Sequence, residues 1–102
     1  MKEEEIIEAI YEAIDDLNPL LKQEQRLEKS TQTILFGPLG KLDSMGLVSL
    51  IVATEGKIEE KFNVRLVLAD EKAMSQKNSP FLSIESLANY ISKLLVNHRD
   101  GN

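Results

Sequence analysis

The sequence predicts an all-α fold: a small four-helix bundle of three long helices plus one short, with a long loop between the first and second helices. Three observations predict it. Three separate stretches repeat apolar residues at the i, i+3, i+4, i+7 spacing that lines one face of an α-helix. All three prolines, Pro19, Pro38 and Pro80, fall between those stretches. The one stretch that alternates, Asn63 to Leu68, has no second strand elsewhere to complete a sheet.

The first helix spans roughly 2–17, with Ile6, Ile10, Ala13, Ile14 and Leu17 on one face. Asn18-Pro19 stops it, because proline disfavours helical geometry in the residue before it. The connection that follows, to Leu42, carries Leu20, Leu21, Leu27 and the run Ile34-Leu35-Phe36, with turns marked by Gly37-Pro38 and Gly40. A connection of this length is usually functional when it occurs in a compact domain. A short helix around residues 20–29 fits within it. The second helix spans about 44–62, with Leu47, Leu50, Ile51, Thr54, Ile58 and Phe62 on one side. Residues 63–68 then form a linker pinned to the core by apolar side chains. Asp70 is placed to cap a short helix through about Gln76, and Asn78-Ser79-Pro80 ends it. The last helix starts after Ser83 as N-cap and repeats Ile84, Leu87, Ala88, Ile91, Leu94 and Leu95.

Composition sets the function classes. At 102 residues the chain makes one domain, 1–102, and a domain of this size buries roughly 60–65% of the surface its unfolded chain exposes. With 42% apolar and 28% charged residues it reads as soluble and globular. No apolar run approaches the ~20 residues of a membrane span. The acidic start, Met1-Lys2-Glu3-Glu4-Glu5, does not resemble a signal peptide, which makes the cytoplasm the expected compartment. The absence of cysteine removes disulfides, thiolate metal sites and cysteine nucleophiles, and the single histidine, His98, lies in the C-terminal tail. No metal site is expected. Of the net charge of −5, residues 1–16 carry −6, from seven acids against Lys2. With no clustered Lys/Arg stripe, the chain lacks the electrostatic footprint of a nucleic-acid binder. The acidic face of the first helix reads as a solvated surface, with docking as the alternative. Tyr11, Tyr90, Phe62 and Phe81 read as core or core-edge residues.

The residues that could carry chemistry are Gly40-Lys41-Leu42-Asp43-Ser44-Met45, continuing into Gly46-Leu47-Val48-Ser49-Leu50-Ile51. They place a serine at the first position of a long helix, directly after a turn-rich loop. A helix N-terminus offers backbone N–H groups without intrahelical partners and the positive end of the macrodipole, which favours an anionic group. Asp43 is placed to cap the helix and so to leave the Ser44 hydroxyl facing outward. An Asp-Ser pair before an apolar periodic segment is, taken alone, most often a cap and nothing more.

The surrounding pattern resembles the acyl carrier protein family. In that family a Gly-x-Asp-Ser-[Leu/Met] core follows a long first loop and opens the second helix. The match here has one extra residue after Gly40, continues to Glu59-Glu60-Lys61-Phe62-Asn63, and takes in the closing Ser83 to Ile91, so that it covers nearly the whole chain. The resemblance implies that Ser44 receives 4′-phosphopantetheine from coenzyme A through a separate Mg²⁺-dependent phosphopantetheinyl transferase. It implies further that the chain carries an acyl or related group as a thioester to acyl-transferring or acyl-activating enzymes. The prosthetic thiol supplies the sulfur that the chain lacks. The chain itself is then no enzyme, and a monomer is expected.

Two features point to a specialised member serving a dedicated pathway. At ~100° per residue, Met45, Val48 and Val52 lie beside Ser44 on the side away from Leu47, Leu50 and Thr54, as an exposed apolar wedge. The competing reading packs them beneath the loop. Typical fatty-acid carriers have acids two and five positions after the serine, where this chain has Gly46 and Ser49. The second helix, counted with Asp43 ahead of it, nets only −2. Met45, Val48, Val52 and Glu55 are the candidate partner-binding residues. An aminoacyl or peptidyl carrier, or an unmodified helical interaction module, stays open as an alternative.

Overall fold

The computed structural model describes residues 2–68 and 80–100. Within them lie three α-helices: α1 (Lys2–Leu17), α2 (Ser44–Phe62) and α3 (Ile84–Asp100). The long loop joins α1 to α2. No strand occurs among the described residues, which hold one isolated antiparallel bridge, between Ile34 and Ser83. No described helix is long and apolar enough to cross a membrane. The short helix expected over 70–76 lies outside the described residues.

Each helix is ordered by the face it buries. On α1, Ile6, Ala9, Ile10, Ala13 and Ile14 are fully buried and Leu17 nearly so. On α2, Leu47, Leu50, Ile51 and Ile58 are buried together with Thr54, whose hydroxyl is enclosed without a hydrogen-bond partner. Phe62, expected on this face, lies at its margin and packs partly against the core. On α3, Ile84, Leu87, Ala88, Ile91 and Leu95 are buried, with Leu94 at the edge. α1 packs against both other helices. Phe81 is fully buried just ahead of α3 and meets Tyr90 edge-on, with ring centroids 6.0 Å apart. α2 ends at Asn63 in the left-handed conformation (φ 54°), its N–H bonded to the Glu59 carbonyl, a conformation asparagine tolerates better than most residues.

Charge crosses the α1–α2 seam. Lys57 pairs with Asp16 at 3.1 Å, and Lys61 bridges Glu8 at 3.1 Å and Glu12 at 2.9 Å. The Lys61 hydrogen bond holds the Glu12 carboxyl below its ordinary range. The bond to Glu12, followed by that to Glu8, raises the Lys61 ammonium, and the bond to Asp16 raises that of Lys57. Four of the seven acids near the N-terminus are therefore partnered within the chain, because Asp15 also pairs with Lys29 at 3.1 Å. The acidic face is not a bare field of like charge.

The loop is built by hydrogen bonds, and the helix expected around residues 20–29 does not form. Two single 3₁₀ turns, Asn18–Leu20 and Gln23–Gln25, stand there instead. The stretch has no apolar stripe to hold a helix against the core, since Leu27 is its sole buried side chain. Asn18 replaces that packing. Its Nδ2 donates to the Leu27 carbonyl and its Oδ1 accepts from the Leu27 N–H, both at 2.9 Å.

Further on, residues 31–35 grip the start of α3. Leu35 N–H donates to the Leu82 carbonyl at 2.7 Å, Ile84 N–H to Thr33 at 3.1 Å and Glu85 N–H to Thr31 at 3.0 Å. Two donors of the first turn of α3, which intrahelical bonding leaves unpaired, are thus satisfied by the loop. Ser83 caps the same turn as expected, its Oγ accepting from Ser86 N–H at 3.1 Å, while Ser86 Oγ accepts from Ser83 N–H at 3.0 Å and donates to the Pro80 carbonyl at 2.8 Å. This is the reciprocal logic of a capping box, with serine where Glu or Gln is usual.

The linker 63–68 is extended and turns Leu66 and Leu68 into the core while Val67 stays outside. Its end is held by Glu55, whose Oε2 accepts from Leu68 N–H at 2.7 Å.

Candidate functional site

The turn that leads into α2 places Asp43 and Ser44. Leu35 and Leu42 are buried on either side of the 36–41 excursion, and Leu42 N–H donates to the Leu35 carbonyl at 3.2 Å. Between them Gly40 N–H closes a turn onto the Gly37 carbonyl at 3.0 Å. Gly40 sits so close to Phe36 that a Cβ there would stand 2.5 Å from the Phe36 N and Cα. The obstructing atoms are backbone, so the turn itself must open to admit a side chain. Gly40→Ala is expected to cost about 1–3 kcal/mol, the range for overpacking, measured by urea denaturation. A neutral substitution would mean that the turn yields freely and does not hold Leu42 in place.

With Leu42 anchored, Asp43 meets α2 in extended geometry (φ −83°, ψ −177°). Its Oδ1 accepts from Gly46 N–H at 2.7 Å, and its carbonyl accepts from Leu47 N–H at 2.9 Å. Asp43 is therefore the N-cap, as the sequence predicts, and the exposed Ser44 side chain has no capping duty. Asp43→Ala should lower stability by about 1 kcal/mol, the usual cost of losing an N-cap carboxylate. Thermal denaturation beside Ser44→Ala checks this, because equal losses would show the cap to be shared.

The structure brings Met45, Val48 and Val52 together as an exposed face next to Ser44, with relative exposures of 80%, 44% and 59%. They do not pack beneath the loop. They form one wall of a groove of about 570 Å³, whose other wall is Leu17, Leu20 and Leu21 at the end of α1 and its following 3₁₀ turn. Gly46 and Ser49 also line it, as do Asp16 and Asp43. Glu55 lies apart from this groove, with its carboxylate on Leu68 N–H.

Leu20 and Leu21 are the site residues that sequence reasoning missed. A signal for one of them existed, since Leu21 continues the Ile14, Leu17 spacing past Pro19, but the proline ends the pattern that periodicity follows. Leu20 gives no such signal. It is 83% exposed and reaches the groove through the 3₁₀ turn.

Chemically the site offers an accessible hydroxyl at the positive end of a 19-residue helix, beside an apolar surface. A phosphodiester on Ser44 would meet the dipole as a favourable field and the Asp43 carboxylate as a like charge partly neutralised by its bond to Gly46 N–H. Comparison with protein-family models, curated proteins and solved structures gives no match for this chain.

Proposed function

We propose that the chain is a carrier protein of the acyl-carrier type, with Ser44 as the attachment point for 4′-phosphopantetheine. One observation carries the reading: Ser44 is exposed on the first turn of α2 while its neighbour Asp43 does the capping. A serine kept only for helix initiation would be expected to make the cap itself. The motif resemblance and the long, hydrogen-bonded loop ahead of α2 support the same reading. With it comes the four-helix bundle, whose short fourth helix falls outside the described residues.

Attachment needs a separate transferase and coenzyme A. The Ser44 Oγ attacks the pyrophosphate phosphorus that bears the pantetheine half, forming an O–P bond. The phosphoanhydride bond breaks, the adenosine bisphosphate half leaves, and the hydroxyl proton passes to a base of the transferase. When bound, the group supplies a thiol for thioester formation. This chain's own residues present the serine, hold the helix that carries it and offer apolar surface beside it, while partner enzymes do the acyl chemistry. The cytoplasm, where coenzyme A and such enzymes meet, is the matching compartment. With Gly46 and Ser49 in place of acids, docking that relies on a strongly acidic second helix is disfavoured, which points to a dedicated pathway.

The deciding experiment is incubation of the full chain with coenzyme A and a broad-specificity phosphopantetheinyl transferase, followed by intact-protein mass spectrometry. One phosphopantetheine per chain is expected. No adduct with a transferase active on a control carrier rejects the reading and leaves the unmodified interaction module, which the apolar groove alone would also suit.

A further inference from the structure

Resting on Ser44 as the attachment point, we propose that Ser86, near the start of α3, is a positioning residue for the modification of Ser44. Its hydroxyl acts at a distance, through Leu35, which ties the start of α3 to the start of α2.

The tie is the first ground. Leu35 N–H donates to the Leu82 carbonyl at 2.7 Å, and the Leu35 carbonyl accepts from Leu42 N–H at 3.2 Å. One residue thus joins the entries to both helices, and its own side chain and that of Leu42 are buried. Only Asp43, the N-cap, separates Leu42 from Ser44. A shift of the Leu82 carbonyl therefore reaches Ser44 through two backbone bonds and a capped turn, along buried anchors that leave little slack. Gln25 offers a weaker tie, since its Nε2 stands 3.5 Å from Asp43 Oδ2 in an exposed position, at the limit of a hydrogen bond.

What aims the Leu82 carbonyl is the second ground. Ser86 Oγ donates to the Pro80 carbonyl at 2.8 Å and accepts from Ser83 N–H at 3.0 Å, so it braces the chain on both sides of Phe81 and Leu82. Phe81 is fully buried and held by packing, whereas the Leu82 side chain is exposed and leaves its carbonyl to the backbone brace. Ser86→Ala removes both bonds of the brace but spares the helix. Ser83 Oγ still accepts from Ser86 N–H, and the Thr33 and Thr31 carbonyls still accept from Ile84 and Glu85 N–H. The groove beside Ser44 takes no lining residue from α3, so the surface a transferase meets there is unchanged. The effect then falls on the chemical step, in which Ser44 Oγ forms its O–P bond, the phosphoanhydride bond of coenzyme A breaks and the hydroxyl proton passes to a transferase base. That step depends steeply on alignment, with a misplacement of ~1 Å costing about 10²-fold in rate. A loosened turn that still samples the aligned geometry is expected to cost less, about three- to tenfold.

The test follows initial rates of phosphopantetheine transfer to the full chain by intact-protein mass spectrometry, at saturating coenzyme A and a range of chain concentrations. Ser86→Ala is expected to lower kcat about three- to tenfold while KM stays within about twofold of wild type. Amide hydrogen exchange read by nuclear magnetic resonance should quicken at Leu35 and Leu42 and stay near wild type at Ile10 and Ile14 in the core of α1. Ser86→Thr, which returns the hydroxyl, should restore both rates. An unchanged kcat, a rise in KM alone, or exchange that quickens equally across the core would overturn the positioning role while leaving Ser44 as the attachment point. A Ser86→Ala chain that fails to fold would overturn it too, since the hydroxyl would then serve global stability. Absence of any adduct on the wild-type chain, with a transferase active on a control carrier, would overturn both.

Discussion

Ser44→Ala is expected to take up no phosphopantetheine under conditions that convert the wild-type chain fully, and to unfold at nearly the same denaturant concentration. The two halves belong together. The loss of uptake follows from chemistry, since alanine has no oxygen to form the phosphodiester and the neighbouring Ser49 lies more than a helical turn away. The retained stability follows from geometry. The cap bond runs from Asp43 to Gly46 N–H, and the Ser44 side chain is exposed, so the change should stay within about ±0.5 kcal/mol. Mass spectrometry and urea denaturation of one preparation report both. Uptake persisting in Ser44→Ala would place the modification elsewhere, and a large stability loss would make the serine a structural residue.

Ile51→Ala should destabilise the chain by roughly 2–5 kcal/mol. Ile51 is fully buried on the inner face of α2, in the same cluster as Ile10, Ile14 and Leu87, so truncation leaves a void that close-packed neighbours fill only in part. A domain of this size has a total stability on the order of 5–15 kcal/mol, and the variant should therefore melt at least ~8 °C lower. Val52→Ala, one residue on, removes a side chain that is 59% exposed and should cost far less. The contrast is read by thermal unfolding of the two variants. Similar losses would show that Val52 is part of the core and that the outer face of α2 is not available to a ligand.

The inner and outer faces of α2 were legible before any coordinates. Leu47, Leu50, Ile51, Thr54 and Ile58 follow helical spacing, and burial in a core shared with α1 is how such a stripe avoids water. The same arithmetic placed Met45, Val48 and Val52 outside, and Asp43 before an apolar periodic run identified the cap. These properties are local: they depend on residues within two turns of one another, and periodicity records them.

Sequence by itself therefore determined the three long helices, their buried faces, the cap at Asp43 and the outward serine. Tertiary structure alone decided what the loop does. That Asn18 clasps Leu27, that residues 31–35 satisfy the first donors of α3, and that Glu55 serves Leu68 N–H are pairings between distant residues with no periodic signature. The groove belongs to the same class. Leu20 and Leu21 become its second wall because the 3₁₀ turn at Asn18–Leu20 folds the chain back beside α2. Spacing along one segment cannot report a surface that two segments make only by meeting.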